Sequence, residues 1–131
     1  MAKLQILIVT PEATALDQQA DAVVLPLYDG QSGILPGHAA MIGRLGPGEV
    51  RVRDSGTESG FYVDGGFVQV EKDVVSIMAG GSKPVAELDS AEAATALETA
   101  LALPSDTAVL ADVKEKAVSQ ARAKVRITQP G

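Results

Sequence analysis

The sequence predicts a two-part protein, with an antiparallel β-sandwich or flattened barrel over residues 1–83 and an antiparallel α-helical hairpin over residues 84–131. Short apolar runs separated by glycine-containing turns fill the first part, as is typical of all-β folds. After "GGSKP" at 80–84 the apolar spacing changes from two to three or four, which indicates helices. The chain has two Phe, two Tyr and no Trp, so we expect a core of Val, Leu, Ile and Ala, which suits a sheet.

The first part contains six apolar runs that we predict to be strands. Three are "KLQILIV" at 3–9, "AVVLPL" at 22–27 and the alternating "EVRVR" at 49–53. Three more lie within "FYVDGGFVQVEKDVVSIM" at 61–78, separated by Asp64-Gly65-Gly66 and by Glu71-Lys72-Asp73. Because Asp-Gly and Gly-Gly steps supply positive φ, "DGQSG" at 29–33 and "DGGF" at 64–67 are predicted hairpin turns.

The second part predicts two helices. Asp89 and Glu92 fit a capping box that opens a helix of about 14 residues, and "LPSD" ends it, with Ser105 or Asp106 as the next N-cap. The expected apolar faces consist of Ala93, Leu97 and either Ala100 or Leu101 on the first helix, and of Leu110, Val113, Ala117, Ala121 and Val125 on the second. Alanine contacts bury little area, so the two helices are predicted to form a hairpin whose packing is only weakly stabilised.

Composition excludes several classes of function. The chain has no cysteine, which rules out disulfides, thiolate nucleophiles and sulfur-bound metals, and its net charge of −6 argues against nonspecific nucleic-acid binding. No apolar run is long enough for direct membrane insertion, and no signal or transit peptide is evident. We therefore expect an intracellular protein, and a bacterial source is favoured.

Charge is divided along the second part of the chain. Residues 87–111 hold five acidic residues and no basic one, whereas residues 112–131 hold five basic and two acidic ones. An acidic partner surface would suit the second helix, although a solvated helix face is the common alternative.

The stretch "GILPGHAAMIG" at 33–43 contains His38, the only histidine of the chain. It has no Cys or second His with which to share a metal, and no Gly-x-Ser-x-Gly elbow or Gly-Lys-Ser/Thr loop is present. We expect no catalytic residue and no metal site, and a structural or contact role for His38.

Four segments carry a resemblance to a known family. In order and spacing, "GILPGHA", "GPGEVRV", "VDGGFVQV" and "VVSIMA" resemble the epsilon subunit of F-type ATP synthases, which is called delta in mitochondria. The resemblance implies a non-catalytic central-stalk (rotor) subunit that couples the catalytic head to the membrane c-ring and restrains ATP hydrolysis through its hairpin. Its partners would be the gamma subunit, the c-subunit ring and, with the hairpin extended, the catalytic beta subunit. The location would be peripheral, at the cytoplasmic face of the inner or plasma membrane.

The resemblance also implies site residues. The c-ring contact would involve Gln31, Ser32, His38, Ala39 and Met41. The inhibitory contact with the catalytic subunit would involve Lys114, Lys116, Arg122, Lys124 and Arg126.

Nucleotide binding by the hairpin is expected to be weak or absent. Family members that bind ATP carry Leu/Ile-Asp-x-x-Arg-Ala, whereas this chain has Leu88-Asp89-Ser90-Ala91-Glu92-Ala93, with Glu92 in place of the arginine. Only Asp89, Arg122 and Arg126 would remain as contacts, so no cofactor is expected.

Two other classes stay open from the sequence. A free-standing ligand-binding β-sandwich is the main alternative, although the scarcity of aromatic residues weakens a sugar-binding version. An enzyme that uses His38 is the other.

Overall fold

The computed structural model describes residues 2–128, which divide into two compact units, one up to Val85 and one from Ala86 onward. The first unit consists of strands and the second of helices, which confirms the predicted fold class. The predicted domain boundary between residues 83 and 84 remains a prediction.

Ten strands and two α-helices form these units. The strands are β1 (Leu4–Val9), β2 (Thr14–Ala20), β3 (Ala22–Leu27), β4 (Gly30–Ile34), β5 (Met41–Leu45), β6 (Gly48–Asp54), β7 (Thr57–Val63), β8 (Gly66–Glu71), β9 (Val74–Ala79) and β10 (Ser82–Pro84). A 3₁₀ turn at Val85–Glu87 follows, and the helices are α1 (Ser90–Leu101) and α2 (Ala108–Thr128).

The strands form one strongly curved sheet. Their order is β10-β7-β6-β3-β5-β8-β9-β1-β2, with β4 paired to β3, and β2 lies against β6 so that the sheet nearly closes. Among residues 2–128 all strand pairs are antiparallel except that of β1 with β9, which is parallel, with Gln5 opposite Val74 and Val9 opposite Met78. The purely antiparallel prediction missed this pair, since apolar runs alone carry no strand direction.

The core of the first unit is aliphatic, as the composition predicts. Alternate residues of β1, β8 and β9 point inward and are fully buried, while their neighbours face outward. The largest fully buried side chains include Leu4, Ile6, Ile8, Leu25, Ile34 and Ile77.

Two of the predicted turns behave differently from each other. Lys72 and Asp73, with φ of 50° and 64°, form the two-residue β8–β9 hairpin in which Glu71 pairs with Val74. The prediction of a hairpin at 64–67 is wrong, because β7 and β8 are not neighbours in the sheet. Gly66 instead begins β8 with a φ of 136°, and a Cβ at this position would collide with the carbonyl oxygen of Met78.

Four strands, β2, β4, β5 and β10, were not predicted from the sequence. β2, β4 and β5 contain exposed polar residues or glycines that obscure the alternation. Ser82–Pro84, expected to be a break between the two parts, forms β10 and pairs with β7.

The second unit is a pair of helices in contact. Asp89 caps α1, as predicted, by accepting hydrogen bonds from the N–H groups of Ala91 (2.8 Å) and Glu92 (3.2 Å). The helix has 12 residues rather than about 14. α2 begins after Thr107, whose Oγ1 accepts from the Leu110 N–H at 3.1 Å, so the predicted caps Ser105 and Asp106 are wrong.

The helix faces agree with prediction in part. Ala93 and Ala100 of α1 are buried, whereas Leu101 is exposed. On α2 Ala121 is buried, but Val113 is 56% exposed and does not belong to the packed stripe. Neither helix of the described chain combines the length and apolar character that a bilayer span requires.

Candidate protein-interaction site

One outer face of the first unit carries several exposed apolar side chains, with the polar Gln69 and Ser76 among them. It lies on β5, β8, β9 and β1, where Arg44, Phe67, Met78 and Val9 stand opposite one another in a row across four strands. Phe67 is 56% and Met78 49% exposed. Ile42, two residues from Arg44 on the same side of β5, is 79% exposed. We call the residues Val9, Ile42, Phe67, Val74 and Met78 the apolar face.

Such a face is a physical argument for a protein partner. Outward positions of a solvated antiparallel sheet are normally polar, and contiguous exposed apolar patches mark interaction sites. Sequence reasoning missed this face, although a signal was available. In "FVQV" and "VVSIM" apolar residues occupy outward as well as inward positions, so the strict alternation of a half-solvated strand is absent.

The turn that holds His38 is ordered by main-chain hydrogen bonds. The His38 N–H donates to the Leu35 carbonyl at 3.1 Å across Pro36 and Gly37, and Gly37 has a φ of 86°. This arrangement has proline and glycine where a type II turn requires them. The Gly37 N–H donates to the Asp73 carboxylate at 2.7 Å, so the turn is fastened to the β8–β9 hairpin.

The recorded side-chain contact of His38 is with the main chain. Its Nδ1 lies 2.7 Å from the Ala39 carbonyl oxygen, a main-chain partner and not a carboxylate. No group of three or more His, Asp or Glu side chains within residues 2–128 could hold a metal. Burial raises the pKa of the Tyr62 phenol far above its usual value, and the neighbouring Asp64 carboxylate raises it further, so Tyr62 stays neutral.

A charged cluster fastens one corner of the sandwich. Lys3 forms ion pairs with Asp54 and, at 3.5 Å, with Asp21. The hydrogen bond to Asp54 raises the pKa of Lys3. The Ser55 N–H, which donates to Asp21 at 2.8 Å, lowers the pKa of Asp21, and the charge of Lys3 adds to this. This cluster links the chain before β1 to two turns and is structural.

The five residues expected to contact the c-ring do not form one cluster. Gln31 and Ser32 lie on β4 beside the Tyr28–Asp29 turn. His38 and Ala39 lie in the turn tied to Asp73. These two turns lie at opposite ends of β8. The Tyr28 N–H donates to the carbonyl of Arg44, which pairs with Phe67 near the start of β8, whereas Asp73 follows the end of β8. Five residue steps, about 17 Å, separate the ends of β8.

The fifth of these residues, Met41, is directed elsewhere. It pairs with Val70 on the inward side of β5 and packs against the core. Gln31 and Ala39 are exposed, whereas Ser32 and His38 are half-buried.

The five basic residues of α2 differ in exposure. Lys116, Arg122 and Arg126 are exposed, while Lys114 and Lys124 are half-buried. At about 100° per residue, Arg122 and Arg126 lie about 40° apart on one side of the helix. None of the ion pairs found among residues 2–128 involves Lys116, Arg122 or Arg126, so these three charges are available to a partner.

The start of α1 does not fit a nucleotide phosphate. The Asp89 carboxylate is occupied as the cap of the helix, and Glu92 exposes a second negative charge in its first turn. Helix N-termini attract anions through free N–H groups, but here a carboxylate already occupies two of them.

Comparison with known proteins agrees with this architecture. Residues 3–83 match the family model described as ATP synthase, Delta/Epsilon chain, beta-sandwich domain. The chain is 44% identical over 126 residues to the ATP synthase epsilon chain of Rhodopirellula baltica, covering 96% of this chain and 98% of that one. It is 31% identical over 133 residues to the sodium ion specific epsilon chain of Propionigenium modestum, covering 98% and 96% of the two chains.

Solved structures share the fold over most of the chain. A chain of the Euglena gracilis mitochondrial ATP synthase, in a structure of its OSCP/F1/c-ring, matches with a TM-score of 0.83 and 25% identity, covering 94% of this chain and 79% of that one. A chain of the Tetrahymena thermophila central stalk and c-ring structure matches with a TM-score of 0.77 at 18% identity, with 98% coverage of both chains, and this likeness concerns the fold. The resemblance carried by the four sequence segments is thereby confirmed, and the chain belongs to the ATP synthase delta/epsilon chain family.

Proposed function

We propose that this chain is a non-catalytic central-stalk subunit of an F-type ATP synthase, peripheral at the cytoplasmic face of a bacterial inner or plasma membrane. Its β-sandwich, residues 1–83, would join the gamma subunit to the c-ring, and its hairpin, residues 84–131, would restrain ATP hydrolysis. Family membership supports the complex, and the relatives from Rhodopirellula baltica and Propionigenium modestum support an epsilon-type role. The observation that carries the proposal is the apolar face.

The apolar face suits the gamma contact. It presents aliphatic, thioether and aromatic side chains on paired strands, and these side chains are exposed. Burial of Phe67 and Met78 by a partner would remove large apolar groups from water, as the central contacts of stable interfaces do.

We assign the c-ring contact to the end of the sandwich that holds Gln31. Four successive residues there, Tyr28 to Gln31, are exposed, and Tyr28 alone is 64% exposed. A flat ring surface does not reach both ends of β8, so the assignment leaves His38 and Ala39 outside the ring contact.

The hairpin is assigned the restraint of hydrolysis. Its fully buried side chains are all alanines, namely Ala93, Ala100, Ala121 and Ala123, so their burial contributes little apolar area to the stability of the hairpin. A switching element needs states that differ by only a few kcal/mol. The exposed Lys116, Arg122 and Arg126 would meet carboxylates of the catalytic beta subunit, with α2, about 31 Å long, providing the reach.

The test is titration of the purified protein into a catalytic head that contains its stalk but has been stripped of this subunit. Saturable binding together with a fall in ATP hydrolysis is expected. Phe67→Ser should weaken binding about tenfold or more, while Glu58→Ser, on β7 away from the apolar face, should not. Absence of binding by the unmodified protein would return the sandwich to the ligand-binding alternative.

A further inference from the structure

Arg44 borders the apolar face, and two contacts with Tyr28 hold it in place. The Cζ atom of Arg44 lies 4.2 Å from the centroid of the Tyr28 ring. The main chains of the two residues are also joined, since the Tyr28 N–H donates to the Arg44 carbonyl at 2.8 Å. Both side chains are exposed. A guanidinium stacked on a ring in this way keeps its N–H edge free to bind a planar acceptor.

Arg44 has no carboxylate partner within residues 2–128. The ion pairs there involve Lys3, Arg51 and Arg53. The outward neighbours of Arg44 across the sheet are Phe67 and then Met78, which are apolar. On β8 the first outward carboxylate belongs to Glu71, four residues beyond Phe67 and so about 13 Å away along the strand.

A partner that covers the apolar face would also remove water from Arg44. Burial of an unpaired guanidinium is strongly unfavourable, whereas a bidentate carboxylate offsets the loss of solvation. Arg44 therefore discriminates between partner surfaces that are otherwise similarly apolar. A surface with a carboxylate at the matching position binds, and one with a basic or purely apolar group there is rejected.

We propose that Arg44, held by Tyr28, is a specificity-determining residue of this subunit, and that it binds a carboxylate on the stalk protein seated on the apolar face. This inference rests on the proposed function, because it names the chemistry of the partner at the same surface. Tyr28 is a positioning residue, since its ring acts through Arg44.

The experiment measures binding of Arg44→Gln, Arg44→Lys, Tyr28→Ala and Tyr28→Phe to the stripped catalytic head with its stalk and without the c-ring. Arg44→Gln should bind roughly 30-fold more weakly. Arg44→Lys should fall between it and the unmodified protein, because it keeps the charge and loses the planar fork. Tyr28→Ala should weaken binding, while Tyr28→Phe should not, because the ring is retained.

Salt dependence supplies a second readout. Between about 50 and about 300 mM salt, the unmodified protein should lose more affinity than Arg44→Gln does. Lys83→Gln, which removes an exposed cation on β10, is the matched control and should bind with unchanged affinity. Circular dichroism of each variant checks that the sandwich is folded.

The outcomes separate the two proposals. Equal binding by Arg44→Gln and the unmodified protein, with loss on Phe67→Ser, would overturn the carboxylate contact and leave the stalk role standing. A defect of Arg44→Gln that appears only when the c-ring is present would also overturn it, because the carboxylate would then belong to the ring. If the unmodified protein does not bind, the stalk role itself fails.

Discussion

The carboxylate of Asp73 accepts a hydrogen bond from the Gly37 N–H at 2.7 Å, and its main-chain carbonyl accepts one from the Gln5 N–H at 2.8 Å. One residue of the β8–β9 turn therefore holds both the His38 turn and the first strand. Asp73 does so with a φ of 64°, a conformation that Asp and Asn adopt more readily than most residues.

Asp73→Ala should lower the free energy of unfolding by about 1–2 kcal/mol, since it removes the acceptor for Gly37 and places alanine at a positive φ. Asp73→Asn keeps an acceptor and the tolerance of positive φ, so its loss should be smaller. Urea denaturation measures both, and hydrogen exchange at the Gly37 amide should become faster in the alanine variant. Equal stability of the alanine variant and the unmodified protein would mean that the bond contributes nothing to stability.

Gln31→Ala and His38→Ala, which change residues near opposite ends of the sandwich, should affect coupling differently. Gln31→Ala should lower ion pumping per ATP hydrolysed in the membrane-bound complex, because Gln31 lies at the end assigned to the c-ring. His38→Ala should leave this ratio unchanged, since His38 lies at the other end of the sandwich. The ratio is measured in vesicles from the pumping rate and the hydrolysis rate. The reverse result would transfer the ring contact to the His38 turn.

Removal of the hairpin should raise ATP hydrolysis while assembly persists. The truncation belongs after Val85, because Ser82–Pro84 pairs with β7 and must be retained. A full-length Arg122→Ala/Arg126→Ala variant should reproduce part of the rise, with Glu115→Ala, also exposed on α2, as its control. Hydrolysis is measured in the reconstituted head. An unchanged rate after truncation would remove the inhibitory role.

Calorimetry with millimolar ATP should detect no binding to the unmodified chain, because Asp89 and Glu92 place two carboxylates at the start of α1. Glu92→Arg should create weak binding by replacing a negative with a positive charge, while Glu92→Gln separates loss of repulsion from gain of attraction. Clear binding by the unmodified chain would show that nucleotide is held elsewhere.

Asp21→Asn should destabilise the sandwich at neutral pH and have little effect in acid. The Ser55 N–H and Lys3 lower the pKa of Asp21 in the folded protein. The stabilisation is therefore present above the ordinary carboxyl pKa, about 3.9, and is lost as pH falls through the lower folded value. Thermal melts of both proteins from about pH 7 to about pH 2 should converge at the acid end. A difference that persists unchanged at the lowest pH would assign the effect to packing instead of charge.

The parts of the fold that follow from local pattern could be predicted, and those that depend on pairing could not. Apolar periodicity located β1, β3, β6, β8, β9, the end of β7 and both helices, and the cap at Asp89 followed from its side chain. The parallel pairing of β1 with β9 and the separation of β7 from β8 at Gly66 depend on contacts between distant strands. Local sequence does not determine such contacts. For the same reason the Arg44–Tyr28 stack was missed, since Tyr28 lies in the β3–β4 turn and Arg44 lies on β5, 16 positions later in the sequence.

The pairing of β1 with β9 also has a consequence for the order in which the protein is made. The second residue of β1, Gln5, lies opposite Val74, so the first strand to leave the ribosome has no neighbour on that side until about 70 further residues have followed. Contacts between residues so far apart in sequence form slowly. During synthesis the edge of β1 that β9 will cover therefore stays unpaired, and such an edge favours association with other chains. The sandwich can close only when translation is more than half complete, so nascent chains interrupted before Val74 are expected to be the aggregation-prone form of this protein.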